Sequence, residues 1–258
     1  MKPTIQNTLA RKLEGFEALS EHDRWALNAL VPRVREIGPG VDLINEGDIP
    51  ESVHLVIDGF ACRYKILPDG RRQIMAYLVP GDFCDLNVFI LDEMDHNIGT
   101  ISRCQVVDIP RAAIDAITTH HPMVTRAFWW CALVDEAILR EWLVNMGGRP
   151  PNQRIAHVMC ELMLRLEAVG LVTDDGFPFP FTQTDLADTM GLSNVQVNRS
   201  IRELKSLGLI THRQRILTIH DPDRLKAYCK FTPNYLHLRN ARWQGRRSVP
   251  WDDCARRG

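Results

Sequence analysis

The sequence predicts an α+β chain: an antiparallel sandwich or roll, then one long helix, then a compact unit of short helices closed by a hairpin. Three observations predict it. Apolar and polar residues alternate through short segments between Val53 and Ile109, which is the period of half-buried strands. From Pro122 to Asn145 no turn signal interrupts an apolar-rich run. From Thr182 to Ile219 two short segments of helical period meet at Gly191, and the chain turns extended after Gly208.

Residues 5–31 read as one helix, with Leu9, Leu13, Phe16, Leu19, Leu27 and Leu30 at three- and four-residue spacing. Pro39-Gly40 marks a break, and the period becomes two. Val53, Leu55 and Ile57 alternate up to Gly59, then Phe60, Cys62, Tyr64 and Ile66. Pro68-Asp69-Gly70 turns the chain, and Ile74, Ala76 and Leu78 return it to Pro80-Gly81. A last strand runs from about Gln105 to Ile109. Short strands at this spacing pack as a sandwich or roll.

Pro122 suits the first turn of a helix that Gly147-Gly148 stops after Asn145. Twenty-four residues make it about 36 Å long. Its segment Phe128-Trp129-Trp130-Cys131-Ala132-Leu133-Val134 leaves almost no polar face, and such a helix is covered on both sides. It is either the central helix of one compact domain or a dimer helix packed on the roll and on its own twin. The dimer is preferred because of the module that follows, with Ala127, Trp130, Cys131, Val134 and Ile138 marking the dimer helix. Arg149-Pro150-Pro151 is a joint, Gln153 to Val169 is helical again, and Asp174 to Pro180 reads as a loop.

In that module Thr182 and Asp185 fit a Thr-x-x-acid capping box, and Leu186, Ala187 and Met190 share one face. Gly191 allows a tight turn. Ser193 caps the next helix, with Gln196 completing a second box. Val197, Ile201 and Leu204 bury that helix and leave Asn194, Val195, Asn198, Arg199 and Arg202 outside. Gly208 ends it. Leu209-Ile210 and Ile216 to Ile219 then form a hairpin with Arg213 and Arg215 at its tip. An ordinary helical hairpin would explain the pair of helices alone. The wing and the charge favour a winged helix-turn-helix on double-stranded DNA. From Ser193 to His220 five Lys/Arg face one acid, a local surplus that phosphate contacts require.

The formal net charge of −1 hides this division. Residues 1–145 carry a net −7 and residues 146–258 a net +6, so the halves have separate jobs. With 45% hydrophobic and 24% charged residues the chain is globular and long enough for two domains. Its seven cysteines form no Cys-x-x-Cys and their odd number fits reduced thiols, so we expect a cytoplasmic protein. No apolar run suits a signal peptide or a bilayer span, and no membrane partner is expected. The expected domains are residues 1–121 (helices and roll), 122–148 (long helix and hinge), 149–238 (winged helix-turn-helix) and 239–258, a polar basic tail expected to be disordered.

This order of parts, over nearly all of residues 9–238, resembles the Crp–Fnr family of bacterial transcription regulators. Leu78-Val79-Pro80-Gly81-Asp82-Phe83 is similar to the family's strand-turn before its ligand cassette, and Gly191 to Arg199 with Leu207-Gly208-Leu209-Ile210 to its helix-turn-helix. The resemblance implies a cyclic-nucleotide-binding-like β-roll (a double-stranded β-helix), a homodimer on a palindromic operator, RNA polymerase as a partner, and no enzymatic activity. It also implies that Arg199 reads a guanine. Thr182, Ser193, Asn194, Val195, Gln196, Asn198, Arg199, Arg202, Arg213 and Arg215 are the expected DNA-binding residues. Val195 stands where the family has an acidic residue, so the operator should differ from those of well-known members.

The family's cyclic-nucleotide members carry Gly-Glu and, about a dozen residues on, Arg-Ser or Arg-Thr. Here those stretches read Cys84-Asp85-Leu86-Asn87 and Asn97-Ile98-Gly99-Thr100. A buried phosphate without a cationic fork has no partner, so cyclic AMP binding is not expected. The iron–sulfur members' cysteine cluster is absent too, since no cysteine precedes Cys62. An effector of unknown chemistry would sit near Phe83, Cys84, Asp85, Leu86, Val88 and Phe89. Cys84, Asp85, Asp92, Asp95 and His96 lie close in sequence but read as a solvated acidic loop, so no metal or other cofactor is expected. His120-His121 reads as capping and surface, and Cys131 as core packing. The alternative is a cupin-like metal-binding enzyme with an accessory helical domain, which wants clustered strand histidines, and His54 stands alone on its strand.

Overall fold

The computed structural model describes residues 5–30, 33–86, 90, 91 and 93–238. Val88 and Phe89, Asn87, Asp92 and the tail 239–258 lie outside the described residues. The first half is an α+β unit. Helices α1 (Ile5–Glu14) and α2 (Glu21–Ala29) precede seven strands: β1 (Val34–Ile37), β2 (Asp42–Ile44), β3 (Ser52–Asp58), β4 (Ala61–Ile66), β5 (Arg72–Leu78), β6 (Asn97–Thr100) and β7 (Cys104–Pro110). They make two antiparallel sheets, in the orders β1-β7-β3 and β2-β6-β4-β5. Val53, Leu55, Ile98, Val107 and Ile109 fill the space between the sheets. The expectation of one helix over 5–31 is corrected. Ser20 accepts from the backbone N–H of Asp23 and so opens a second helix, while the chain breaks between Glu14 and Glu21.

Helix α3 (Arg111–His120) follows, a surface element that the sequence reading passed over. Then comes α4 (Pro122–Gly148), three residues longer than expected and about 40 Å from end to end. His121 precedes α4 without capping it. Its ring stacks on His22 with centroids 4.7 Å apart and lies 3.2 Å from an Asp23 carboxylate oxygen, so the expected capping role is corrected.

The second half holds α5 (Pro151–Ala168), β8 (Phe177–Pro178), α6 (Gln183–Met190), α7 (Asn194–Ser206), β9 (Ile210–Arg213), β10 (Ile216–Ile219), α8 (Pro222–Cys229) and a 3₁₀ turn (Pro233–Leu236). The segment 174–180, expected as a loop, contains β8, which pairs with β10 and gives the sheet order β8-β10-β9. Phe177 is there because its ring reaches the core while Pro178 sits on a sheet edge.

One apolar core joins this half to the outer face of the roll. Phe60, Tyr77 and Val79 pack with Trp142, Phe179, Phe181 and Met190. The Tyr77 ring lies 4.1 Å from that of Phe181 and 5.6 Å from that of Trp142. A buried polar hub sits beside it. Arg165 of α5 donates to Asp82 at 2.6 Å, to Glu161 at 3.1 Å and to the Tyr77 carbonyl at 2.8 Å, while Lys12 of α1 holds the other oxygen of Asp82 at 2.6 Å. Burial pushes the Glu161 carboxyl up, opposed by Arg165 and by hydrogen bonds from Trp142 and Tyr235. Among the described residues no helix is long and apolar enough to cross a membrane.

Candidate nucleic-acid interface

Local chemistry builds the interface. The Thr182 hydroxyl accepts from the Asp185 N–H at 3.1 Å, and the Asp185 carboxylate accepts from the Thr182 N–H at 2.8 Å. Ser193 and Gln196 repeat the reciprocal pair at the start of α7, at 3.3 and 2.9 Å. Both helices therefore begin where their sequences place caps. Gly191 at φ +61° makes the turn between them in the left-handed region, which costs glycine least.

The core buries Val197 and Leu204 on one side of α7. On the other, Asn194, Val195, Gln196, Arg199 and Arg202 are exposed, Val195 at 78%. Gln196 is committed to its cap through Oε1, so the tension between capping and base contact is resolved in favour of the cap in the free protein. Asn198 is half-buried and donates to Gln183 on α6 at 2.8 Å. Thr182 is exposed at the start of α6. The side chains of Arg199, Arg202, Arg213 and Arg215 make no hydrogen bond or ion pair among the described residues.

The wing carries its charge at a strained turn. Gln214 at φ +49° and Arg215 at φ +65° occupy the two central positions of a two-residue hairpin, a twist that suits paired strands but that L side chains rarely adopt. Behind the turn, His212 directs Nε2 at the Phe179 carbonyl, 3.1 Å away, and burial lowers its pKa. The back of α7 is tied down as well. Glu203 accepts from Tyr228 of α8 and from Asn152 of α5, both at 2.7 Å, and these bonds hold its carboxyl below the usual range. A fixed helix thus presents an exposed polar face with uncommitted arginine side chains, the geometry that enters a major groove.

Two family models match the chain: a cyclic nucleotide-binding domain over residues 34–121 and a Crp-like helix-turn-helix domain over residues 153–228. The nitrogen fixation regulation protein FixK of Bradyrhizobium diazoefficiens is 29% identical over 73% of this chain and 78% of its own length. The transcriptional activatory protein AadR of Rhodopseudomonas palustris is 26% identical over 83% of each. Among solved structures, FixK2 from Bradyrhizobium japonicum superposes with a TM-score of 0.68 at 22% identity, covering 76% of this chain and 96% of that one, a likeness of fold. The chain belongs to the Crp–Fnr family. It is a DNA-binding transcription regulator.

In this Crp–Fnr regulator a cavity of about 370 Å³ lies between the roll and α4. Phe83, Cys84, Asp85 and Leu86 line it, together with Arg63 and Asp135, which the sequence reading did not single out. The Asp85 carboxylate is engaged within the protein. It accepts from the His54 backbone at 2.6 Å and meets the His54 ring at 2.7 Å. Arg63 donates to the carbonyls of Cys84 and Phe83 and to Asp135, so its fork is spent inside the protein. Thr100 bonds Gly38 and Val41. Among the described residues no group of three His, Cys, Asp or Glu is placed to hold a metal, and His96 pairs with its neighbour Asp95.

The residues marking the dimer helix require correction. Ala127, Cys131, Val134 and Ile138 are buried against their own protomer and Trp130 is half-buried beside Phe16, so a second chain has no access to that face. The outward face of α4 instead carries Arg126, Trp129, Leu133, Glu136, Arg140, Leu143 and Gly147, flanked by the exposed Leu139 and Val144. Trp129, Leu133 and Leu143 are each at least 60% exposed.

Proposed function

We propose that this regulator acts as a homodimer on a palindromic operator, with two copies of α4 side by side and two copies of α7 in successive major grooves. The observation that carries the reading is the spacing on α4. Among the exposed positions of α4, 126, 129, 133, 136, 140, 143 and 147 recur at alternating three and four residues, the repeat of a two-stranded coiled coil, with Leu139 and Val144 exposed beside them. Trp129, Leu133 and Leu143 supply its apolar contacts, and Glu136 with Arg140, already paired along the helix, supplies charge that a twin can share.

On this reading the chain works in the cytoplasm without enzymatic activity, bound to double-stranded DNA and in contact with RNA polymerase. The cavity between roll and α4 takes an effector other than a cyclic nucleotide, because Asp85 and Arg63 are already engaged within the protein. Light scattering at micromolar protein, followed by selection from a random duplex pool, tests it. A dimeric mass and a palindrome with half-sites about 34–36 Å apart are expected. A monomer that recovers only single half-sites would overturn it.

A further inference from the structure

Beneath the recognition helix, the Sγ atoms of Cys160 on α5 and Cys229 on α8 lie 3.9 Å apart, and both residues are fully buried. Among the described residues no other two thiols share a hydrogen bond. The sequence gives no hint of this pair, since 69 positions separate the two residues. Cys229 ends α8, next to Lys230 in the left-handed region, where helices fray most readily and open the site to small solutes. Its neighbour Tyr228 is one of the two groups that hold Glu203 of α7.

We propose that Cys160 and Cys229 are a modification site, closed to an intrachain disulfide by hydroperoxides, that weakens DNA binding by disturbing the anchor of the recognition helix. The DNA half of this inference rests on the DNA-binding role of α7; the disulfide does not. In the first step the Cys229 sulfur attacks one oxygen of hydrogen peroxide. The O–O bond breaks, the leaving hydroxide takes the thiol proton to become water, and Cys229 becomes a sulfenic acid. In the second step the Cys160 sulfur attacks that sulfur. The S–O bond breaks, the S–S bond forms, and the hydroxyl leaves as water with the Cys160 proton. Two thiols lose two electrons, and one peroxide becomes two waters.

The roles follow from the surroundings. The hydrogen bond from Cys160, with backbone N–H groups, holds the Cys229 thiol below its usual range, while the same bond holds Cys160 above it. Cys229, at the end of α8, is assigned as the nucleophile and Cys160, inside α5, as the resolving thiol. Cys62, Cys84, Cys104 and Cys131 are all pushed up by burial, which disfavours the thiolate that attacks peroxide. Closing the gap from 3.9 Å to a bond of about 2.05 Å draws the end of α8 towards α5. Tyr228, one residue away, moves with it and loses register with Glu203 and Asn152. A reversible, functional disulfide of this kind is compatible with a reducing compartment.

The test uses the full chain, reduced and then treated with hydrogen peroxide, with thiol alkylation and peptide mass mapping. A crosslinked peptide pair containing Cys160 and Cys229, reversed by dithiothreitol, is expected. Affinity is then measured for a duplex that the reduced protein has recovered from a random pool, before and after oxidation. At least a tenfold loss is expected, restored by dithiothreitol and absent in C160A and C229A. Free, alkylatable Cys160 and Cys229 after peroxide has consumed other thiols would overturn the site, a result that needs no variant to fold. A complete crosslink with unchanged DNA affinity would overturn the regulatory consequence. A reduced protein that recovers no duplex would count against the DNA role of α7 and leave the crosslink to be judged on mass alone.

Discussion

Arg72 on β5 of the roll grips two carboxylates of α6, with Nη2 2.6 Å from Asp185 and Nε 2.8 Å from Asp188. Asp185 is also the acid of the capping box that opens α6. One carboxylate thus starts the helix-turn-helix with one oxygen and docks it on the roll with the other. Tyr77 reinforces the junction through Thr189. The sensor sheet and the first helix of the DNA-binding unit are joined by charge as well as by the shared apolar core.

Arg72→Ala should therefore loosen the junction without melting either half. Hydrogen bonds to charged groups contribute about 1.5–3 kcal/mol, and the mutation strips two carboxylates of their cation. Faster amide hydrogen exchange in β5 and α6, with α5 unchanged, is the expected signature. Arg72→Lys should recover only part of it, because an ammonium lacks the fork that meets two carboxylates at once. Exchange in α6 identical to the wild type would show that apolar packing alone holds the junction.

How much of this was legible in the sequence depends on the range of each interaction. Both capping boxes span four residues, so their chemistry is complete in a local reading, and Thr182–Asp185 and Ser193–Gln196 were found where they stand. The second role of Asp185 needs Arg72, 113 positions away, and nothing local announces it. The long helix was legible in extent but not in orientation. Phe128 to Val134 is apolar all round, so composition does not separate the face on the roll from the face in solvent. The exposed repeat was also masked, because Arg126, Glu136 and Arg140 interrupt its apolar residues. Strands β1, β2 and β6 have only three or four residues each, too few for a period to emerge.

If two copies of α4 pair as proposed, Leu133→Glu should leave the protein monomeric. Leu133 is 62% exposed in the protomer, so a carboxylate there is harmless until a twin tries to bury it. Val134→Ala should behave in the opposite way, lowering the melting temperature without altering association, because Val134 is buried in its own protomer. Sedimentation and thermal unfolding of both variants separate the two faces. A dimeric L133E would show that α4 is not the interface.

His157 predicts an acid dependence of stability. Its ring is fully buried beside Phe231 and Tyr235, and neither nitrogen has a hydrogen-bond partner, although Nε2 lies 3.2 Å from Glu141. Burial and then the Arg149 charge lower its pKa from 6.5 to about 3. The unfolded chain binds this proton below pH 6.5 and the folded chain refuses it. The contribution is thus complete above about pH 6.5 and lost as pH falls towards 3, at no more than about 1.4 kcal/mol per pH unit. His157→Phe should flatten the fall between pH 7 and 5 in denaturant titrations. An equal slope in wild type and variant would mean that His157 does not titrate on unfolding.

Cyclic AMP should neither bind tightly nor alter DNA affinity. Its phosphate would need a free cationic fork and its ribose a free carboxylate, and here Arg63 serves Asp135 and two carbonyls while Asp85 serves His54. Calorimetry should show no heat at micromolar concentrations, and a micromolar dissociation constant would refute the prediction.

Arg199 should read a base. It stands six residues after the Ser193 cap, exposed on the side of α7 away from Val197 and Leu204, and its side chain makes no hydrogen bond or ion pair among the described residues. Its nearest acid on the helix, Glu203, is held by Tyr228 and Asn152, so the guanidinium is left available. That fork suits the O6 and N7 acceptors of guanine in the major groove. Asn194 and Val195 share the exposed start of the helix, and Val195 is able to touch a thymine methyl but not to accept a hydrogen bond from cytosine. The competing role for Arg199 is a phosphate clamp. The two differ in how the loss is distributed. For Arg199→Ala measured on operators varied base by base, direct reading gives a loss of about 1–3 kcal/mol and relaxed preference at one guanine per half-site. A clamp gives an equal loss on every sequence and a salt slope shallower by about one. The second pattern would move Arg199 from base recognition to backbone positioning and leave the specificity of α7 to Asn194, Val195 and Arg202.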